Sequence, residues 1–223
     1  MYRALTSEIN TIGKRLIRCE NQCEGVVNKP EEGIFPHCLI LETAKRSRYN
    51  PCVIVGLNPG HASTDERSYM TGNREYKSFV TYWNNQKYNH PYYKNLRDMA
   101  EILSLTGAIL WTEIVKCESN KDTIPVPMTT TISCMKEYLF EELKKVDESW
   151  PLIGAGQKAY FALAYCYPAR TVIGVPHPTE SHEDFNSLIN NEFFKEICGL
   201  STKNPLNKYH NRAVWLPDIT KEM

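Results

Sequence analysis

Much of what the 223-residue chain lacks already narrows its class. No stretch approaches the roughly 18 consecutive apolar residues that a membrane-spanning helix needs, and residues 1–10 have no apolar core of the kind a secretory signal carries. These absences predict a soluble protein of a reducing, cytoplasmic compartment with no membrane partner. Neither sign of charge is in surplus, since 26 Lys and Arg balance 26 Asp and Glu. Coating nucleic acid without regard to sequence requires a cationic excess that displaces counterions, so that mode is excluded, although a local basic patch is not. No Pro-, Gly- or Ser-rich linker, internal repeat or low-complexity tract divides the chain, and one domain and a monomer are expected. Eight cysteines are too few for a disulfide scaffold, which turns attention to whether any are grouped as metal ligands.

Four short apolar segments are present, at 52–57, 108–115, 152–155 and 171–175, and read as strands. Helical patterns lie around and between them, at 9–24, 36–47, 92–104, 130–146, 157–165 and 183–197. Strand and helix in alternation predict a three-layer α/β/α sandwich around a central four-stranded parallel sheet. Ligands of such sheets bind outside the carboxyl ends of the strands. The polar segment 61–89 is long enough to be a binding loop or to carry a helix of its own.

Two of those carboxyl ends carry chemistry-bearing residues. The first strand runs into Gly56-Leu57-Asn58-Pro59-Gly60-His61 and the fourth into Val175-Pro176-His177-Pro178-Thr179. Each is an ordinary turn when taken alone, but together they put an amide and an imidazole at the same edge of one sheet. Cysteines form two pairs, Cys19 with Cys23 and Cys117 with Cys134. On the predicted helix 9–24 the first pair would project from one face, one turn apart. Tetrahedral zinc, an iron-sulfur cluster and plain buried thiols all remain open on spacing alone. Cys38, Cys52, Cys166 and Cys198 lie in apolar stretches and read as structural thiols.

In their order along the chain, from about Cys19 to about Phe185, these motifs resemble those of the uracil-DNA glycosylase superfamily. Gly56-Leu57-Asn58-Pro59-Gly60 is similar to the first motif of the mismatch-specific branch, and His177-Pro178-Thr179 to the second motif, usually His-Pro-Ser. The resemblance implies that Asn58 positions the attacking water, that His177 donates to the base O2, and that Cys19, Cys23, Cys117 and Cys134 hold a 4Fe-4S cluster. It implies a monofunctional DNA glycosylase that removes uracil or another deaminated base. Gly56, Leu57, Pro59, Gly60 and His61 would line the substrate site. The residue types suit the reaction, because a donor aimed at an oxygen that gains charge is worth on the order of 3 kcal/mol. An oxocarbenium-like sugar, in turn, needs little more than a well-placed nucleophile. A flipped base needs an aromatic platform; Tyr69, Tyr92 and Tyr93 are the candidates and Tyr93 is preferred. Lys116 would contact the phosphate backbone or simply be a solvated charge.

Three departures limit the carry-over. Glu113 stands where the iron-sulfur branch has an Asn that reads uracil; an ionised carboxylate only accepts and would repel O4. Burial could keep Glu113 protonated, the pocket could prefer another base edge, or Glu113 could form a surface ion pair. The segment 179–184 is acidic where the family has an apolar wedge and a basic residue, which favours single-stranded or mismatched DNA over intact duplex. The Cys19–Cys23 spacing is one residue longer than usual. Alternatives are a catalytically inactive nucleic-acid or nucleotide-binding member of the fold and an unrelated metal-stapled nucleotide binder.

Overall fold

The computed structural model describes residues 2–43, 50–120, 125–179, 182–190 and 212–219. Helix α1 spans Arg3–Leu16. Strands β1 (Val26–Val27), β2 (Ile40–Glu42) and β3 (Cys52–Gly56) follow. The polar segment after β3 carries α2 (Thr64–Met70) and α3 (Tyr76–Gln86), and α4 covers Pro91–Ile102. Next come β4 (Ile109–Glu113) and β5 (Glu118–Ser119). Then α5 (Met128–Cys134) runs through a π-helical turn, Met135–Leu139, into α6 (Phe140–Lys144). Strand β6 (Leu152–Ala155), α7 (Gln157–Cys166), β7 (Val172–Val175), α8 (His182–Asn190) and β8 (Ala213–Trp215) complete the alternation, with a short helical turn at Leu216–Ile219.

The fold is an α/β sandwich on a mostly parallel six-stranded sheet of order β2-β4-β3-β6-β7-β8. The four strands expected from the sequence are its inner four, and β2 and β8 add an edge on each side. Strands β3, β6 and β7 are buried along their whole length, which is why they read as unbroken apolar runs. Their parallel register aligns Val55 with Gly154, and Ala155 with Val175.

Contacts sort the chain into two compact units. The first is Met1–Leu41, Leu57–Gln86 and Thr112–Asp147; the second is Glu42–Gly56, Lys87–Trp111 and Glu148–Met223. Ile9, Ile12 and Leu16 of α1, Phe79 and Trp83 of α3, and Leu139 and Leu143 form much of the first core. In the second, Leu96 and Met99 of α4, Leu163 of α7 and Phe185 of α8 are buried with Val53, Ile54, Ile153 and Ile173 of the sheet.

Two expected helices differ. The one predicted over 9–24 begins earlier and stops at Leu16, so Cys19 and Cys23 lie in irregular chain. Past Ile17 no apolar residue recurs at helical spacing, and Arg74 takes the carbonyls of Ile17 (3.1 Å) and Cys19 (3.4 Å) instead. The one predicted over 36–47 is not a helix where it is described. His37 N–H donates to the Lys116 carbonyl at 2.6 Å, the Leu39 carbonyl accepts from Tyr76, and Ile40–Glu42 is β2. Residues 44–49, and the part of the predicted 183–197 helix beyond Asn190, lie outside the described residues, as does Cys198.

Candidate functional site

In the second unit, β7 ends at Val175 and the Pro176–Thr179 segment turns against α4. Tyr92 and Asn95, one turn apart on α4, both reach it. The Tyr92 ring lies 5.6 Å from the His177 ring, and Asn95 Nδ2 donates to the Pro178 carbonyl at 3.2 Å. Gly156, at φ +90°, is a neighbour of this turn, and a β-carbon there would lie 3.6 Å from His177 Cβ. Only glycine adopts that backbone readily. Thr179 Oγ1 lies 3.3 Å from His177 Nδ1. Tyr93, the platform preferred from the sequence, is 7% exposed and packs edge-on against Trp111, with ring centroids 5.0 Å apart. Helical phase explains the exchange: the core-facing stripe Tyr93, Leu96, Ala100 leaves Tyr92 half-buried beside the histidine. Tyr69 packs on Tyr82, in the first unit.

Gly56 closes β3, buried, and the following residues belong to the first unit. There the Leu57 carbonyl accepts from Val115 N–H at 2.8 Å. Asn58 is half-buried, and its Nδ2 donates to the Pro59 carbonyl at 3.1 Å, so its other amide atom, Oδ1, is the acceptor of the side chain. Pro59 is buried, whereas Gly60 is exposed and a β-carbon there would meet nothing. His61 is largely exposed, with Nδ1 3.5 Å from Glu118 Oε2.

Glu113, at the end of β4, is not a surface ion pair. Its Oε2 is enclosed, with no hydrogen-bond partner among the described residues. Burial raises its pKa to about 7, against the opposing pull of His37 and Lys116, while Glu142 adds to the rise. Lys116 is not a phosphate contact either. It is 1% exposed, and its Nζ bonds Glu142 Oε2 (2.7 Å) and Thr112 Oγ1 (2.6 Å).

All four paired cysteines are in the first unit, half-buried. The two-residue ribbon of β1 and β5 pairs Val26 with Ser119 and Val27 with Glu118, joining the chain just past Cys23 to the chain just past Cys117. Thr130 Oγ1 donates to the Glu24 carbonyl at 2.9 Å and brings α5, which ends in Cys134, to the same place. Burial raises the pKa of Cys23, Cys117 and Cys134, and neighbouring thiols add to each rise; Cys117 senses the other three. The Lys116 N–H points at Cys134 Sγ, 3.4 Å away. As they stand, no three His, Cys, Asp or Glu side chains among the described residues converge tightly enough to hold a metal ion. In kind, however, the donor set suits a thiophilic centre: four neighbouring cysteines that would bind as thiolates, whose mutual repulsion the metal's charge would offset.

Neither a protein-family model nor a curated protein matches the chain.

Sequence reasoning missed a further polar group in the first unit. His37 Nε2 and Trp83 Nε1 both lie 3.2 Å from Glu66 Oε1, and these three with Phe79 form a tight aromatic and ionic cluster. Burial by itself would lower the His37 pKa, but the hydrogen bond and charge of Glu66, with Glu113 and Glu118 behind it, leave it raised. A small cavity of about 10 Å³, the room of one water molecule, is lined by His37, Glu66 and Glu118 together with Gly60 and Ala62 of the turn after β3. The only signal in the sequence was the polar content of the segment 61–89; His37 sits in an apolar run and looks structural.

Proposed function

We propose that the protein is a monofunctional DNA glycosylase that hydrolyses the N-glycosidic bond of uracil or another deaminated base and leaves an abasic site. Single-stranded or mismatched DNA is its substrate. The observation that carries this reading is register. Gly56 follows Val55, which is level with Gly154, and Val175 is level with Ala155, so β3 and β7, the two strands that run into the motifs, end at one level and one edge of the sheet within the second unit. In the proposed reaction Asn58 Oδ1 accepts a hydrogen bond from a water and holds it for attack on C1′. His177 donates to O2 of the departing base, where negative charge develops. Tyr92, beside His177, supplies the ring on which the base stacks.

Glu113 in its neutral form presents a hydroxyl donor and a carbonyl acceptor, as an amide does. It could therefore read an N–H next to a carbonyl, the edge common to uracil and hypoxanthine. Cys19, Cys23, Cys117 and Cys134 would hold a 4Fe-4S cluster or zinc. Either centre, when bound, supplies a cross-link between the amino-terminal segment, the chain after β4 and α5.

Base release from single-stranded oligonucleotides carrying uracil or hypoxanthine tests the reading, with protein whose iron, sulfide and zinc content has been determined. Asn58→Ala and His177→Ala are each expected to lower the rate by about two orders of magnitude. The enclosed carboxyl of Glu113 favours one other reading, a nucleotide-binding protein without excision activity. Metal-replete protein that binds these oligonucleotides and releases no base would select it.

A further inference from the structure

We infer that Glu118 is a positioning residue: its carboxylate closes the turn that carries Asn58 and holds it to the chain that follows β4. One short stretch fixes the turn at both ends. At its start the Leu57 carbonyl accepts from Val115 N–H at 2.8 Å, and at its end Glu118 Oε2 accepts from Ala62 N–H at 2.7 Å. Only Asn58, Pro59, Gly60 and His61 lie between these two bonds. A backbone N–H given to a carboxylate is about twice as strong as a neutral pair, and leaving a buried donor without its acceptor is costly. Glu118 is itself firmly set. It is 4% exposed, its backbone pairs with Val27 in the β1–β5 ribbon, and Arg67 lies 3.4 Å from its Oε1. Arg67 Nε also donates to the Ala62 carbonyl at 3.1 Å, so both backbone polar groups of Ala62 are taken. Within the turn, Asn58 Nδ2 bonds the neighbouring Pro59 carbonyl, a contact that moves with the turn and cannot fix it. Gly60 adds backbone freedom. The restraints at the two ends therefore govern where Asn58 Oδ1 stands, and a misplacement of about 1 Å in a group that holds a reactant can cost about a hundredfold in rate.

The consequence for base release rests on the excision reading above, but the order of the Asn58 side chain does not. The test is nitrogen-15 relaxation of the side-chain amides in asparagine-labelled full-length protein, with Asn58 assigned by loss of its signals in Asn58→Ala. In the native protein the Asn58 amide is expected to be ordered, with an order parameter of about 0.8. Glu118→Leu, close in size and without an acceptor, should lower it below about 0.6, whereas Glu118→Gln, which keeps an acceptor oxygen, should hold the native value. The Asn50 amide, bonded to the Ser104 carbonyl in the second unit, should not move in any variant. Should Glu118→Leu not fold, Glu118→Asp takes its place, because its carboxylate stops one methylene short of Ala62 and the same fall is expected. If the excision reading also holds, the variant that loosens Asn58 lowers kcat about tenfold with little change in KM. An Asn58 amide already mobile in the native protein, one unmoved in the variants, or a fall that Asn50 shares equally overturns the inference. A fall confined to Asn58, in a protein that releases no base at all, upholds Glu118 as the positioning residue and removes the glycosylase reading alone.

Discussion

Glu113 carries a carboxyl with one oxygen enclosed and unpartnered among the described residues, and that fact has a thermodynamic sign. Its folded pKa of about 7 lies above the ordinary value of 4.5. Between those values the native chain binds more protons than the unfolded one, so stability falls as pH rises through the window, and the full penalty is present above about 7. The shift corresponds to a penalty on the order of 3 kcal/mol at most. Glu113→Gln should therefore gain stability relative to the native protein at pH 8 and gain little at pH 5; urea denaturation at the two pH values measures this. Catalysis should follow the same titration. If neutral Glu113 reads the base, release of uracil should fall about tenfold per pH unit above 7, and Glu113→Gln should flatten that limb.

The helix that passes from α5 through a π turn to α6 carries Cys134 midway, where the π turn begins, and Glu142 near its carboxyl end. Glu142 is wholly buried, as is its partner Lys116 just beyond β4, and a buried pair of this kind is costly to break and cheap to replace. Lys116→Met alone should destabilise the protein by about 3–5 kcal/mol, because Glu142 is left buried with its charge uncompensated. The double variant Lys116→Met, Glu142→Leu should recover most of that loss, as read from urea midpoints. At this scale the sequence was legible where burial is two-sided. Residues 152–155 and 171–175 are short unbroken apolar runs, and they became β6 and β7 with bounds within a residue. The edge strand β2 was hidden because Cys38-Leu39-Ile40-Leu41 is equally apolar as strand or as helix, and a carbonyl taken by Tyr76 some 37 residues away decides it. Asn58 and His177 stood out because both follow strands. His37 and Glu66 did not, being 29 residues apart and joined only by the fold. Adjacent tyrosines 92 and 93 differ only in helical phase, and an error of one residue exchanges core for surface.

Across the whole molecule the charge balance limits how the protein would hold DNA in the proposed role. The 26 cationic side chains are matched by 26 anionic ones, and Lys116 and Lys87 are both buried in ion pairs, so the chain has no net cationic surplus with which to gather phosphates. Oligonucleotide affinity should therefore depend weakly on salt. A slope of log K against log salt no steeper than about −3 is expected between 50 and 200 mM, measured by fluorescence anisotropy, and single strands should bind more tightly than matched duplex.

The way the two units share the chain also sets an order of events during synthesis. All three stretches of the first unit have been synthesised once Asp147 is added, whereas β6, β7 and His177 of the second are still to be made. Strand β3, made early, has its β4 neighbour made next and waits for Leu152 to Gly154 of β6 to complete its other side. Cys19, Cys23, Cys117 and Cys134 all belong to those earlier stretches of the chain. The thiol site therefore draws on residues of the first unit alone, and its assembly needs no residue of the second.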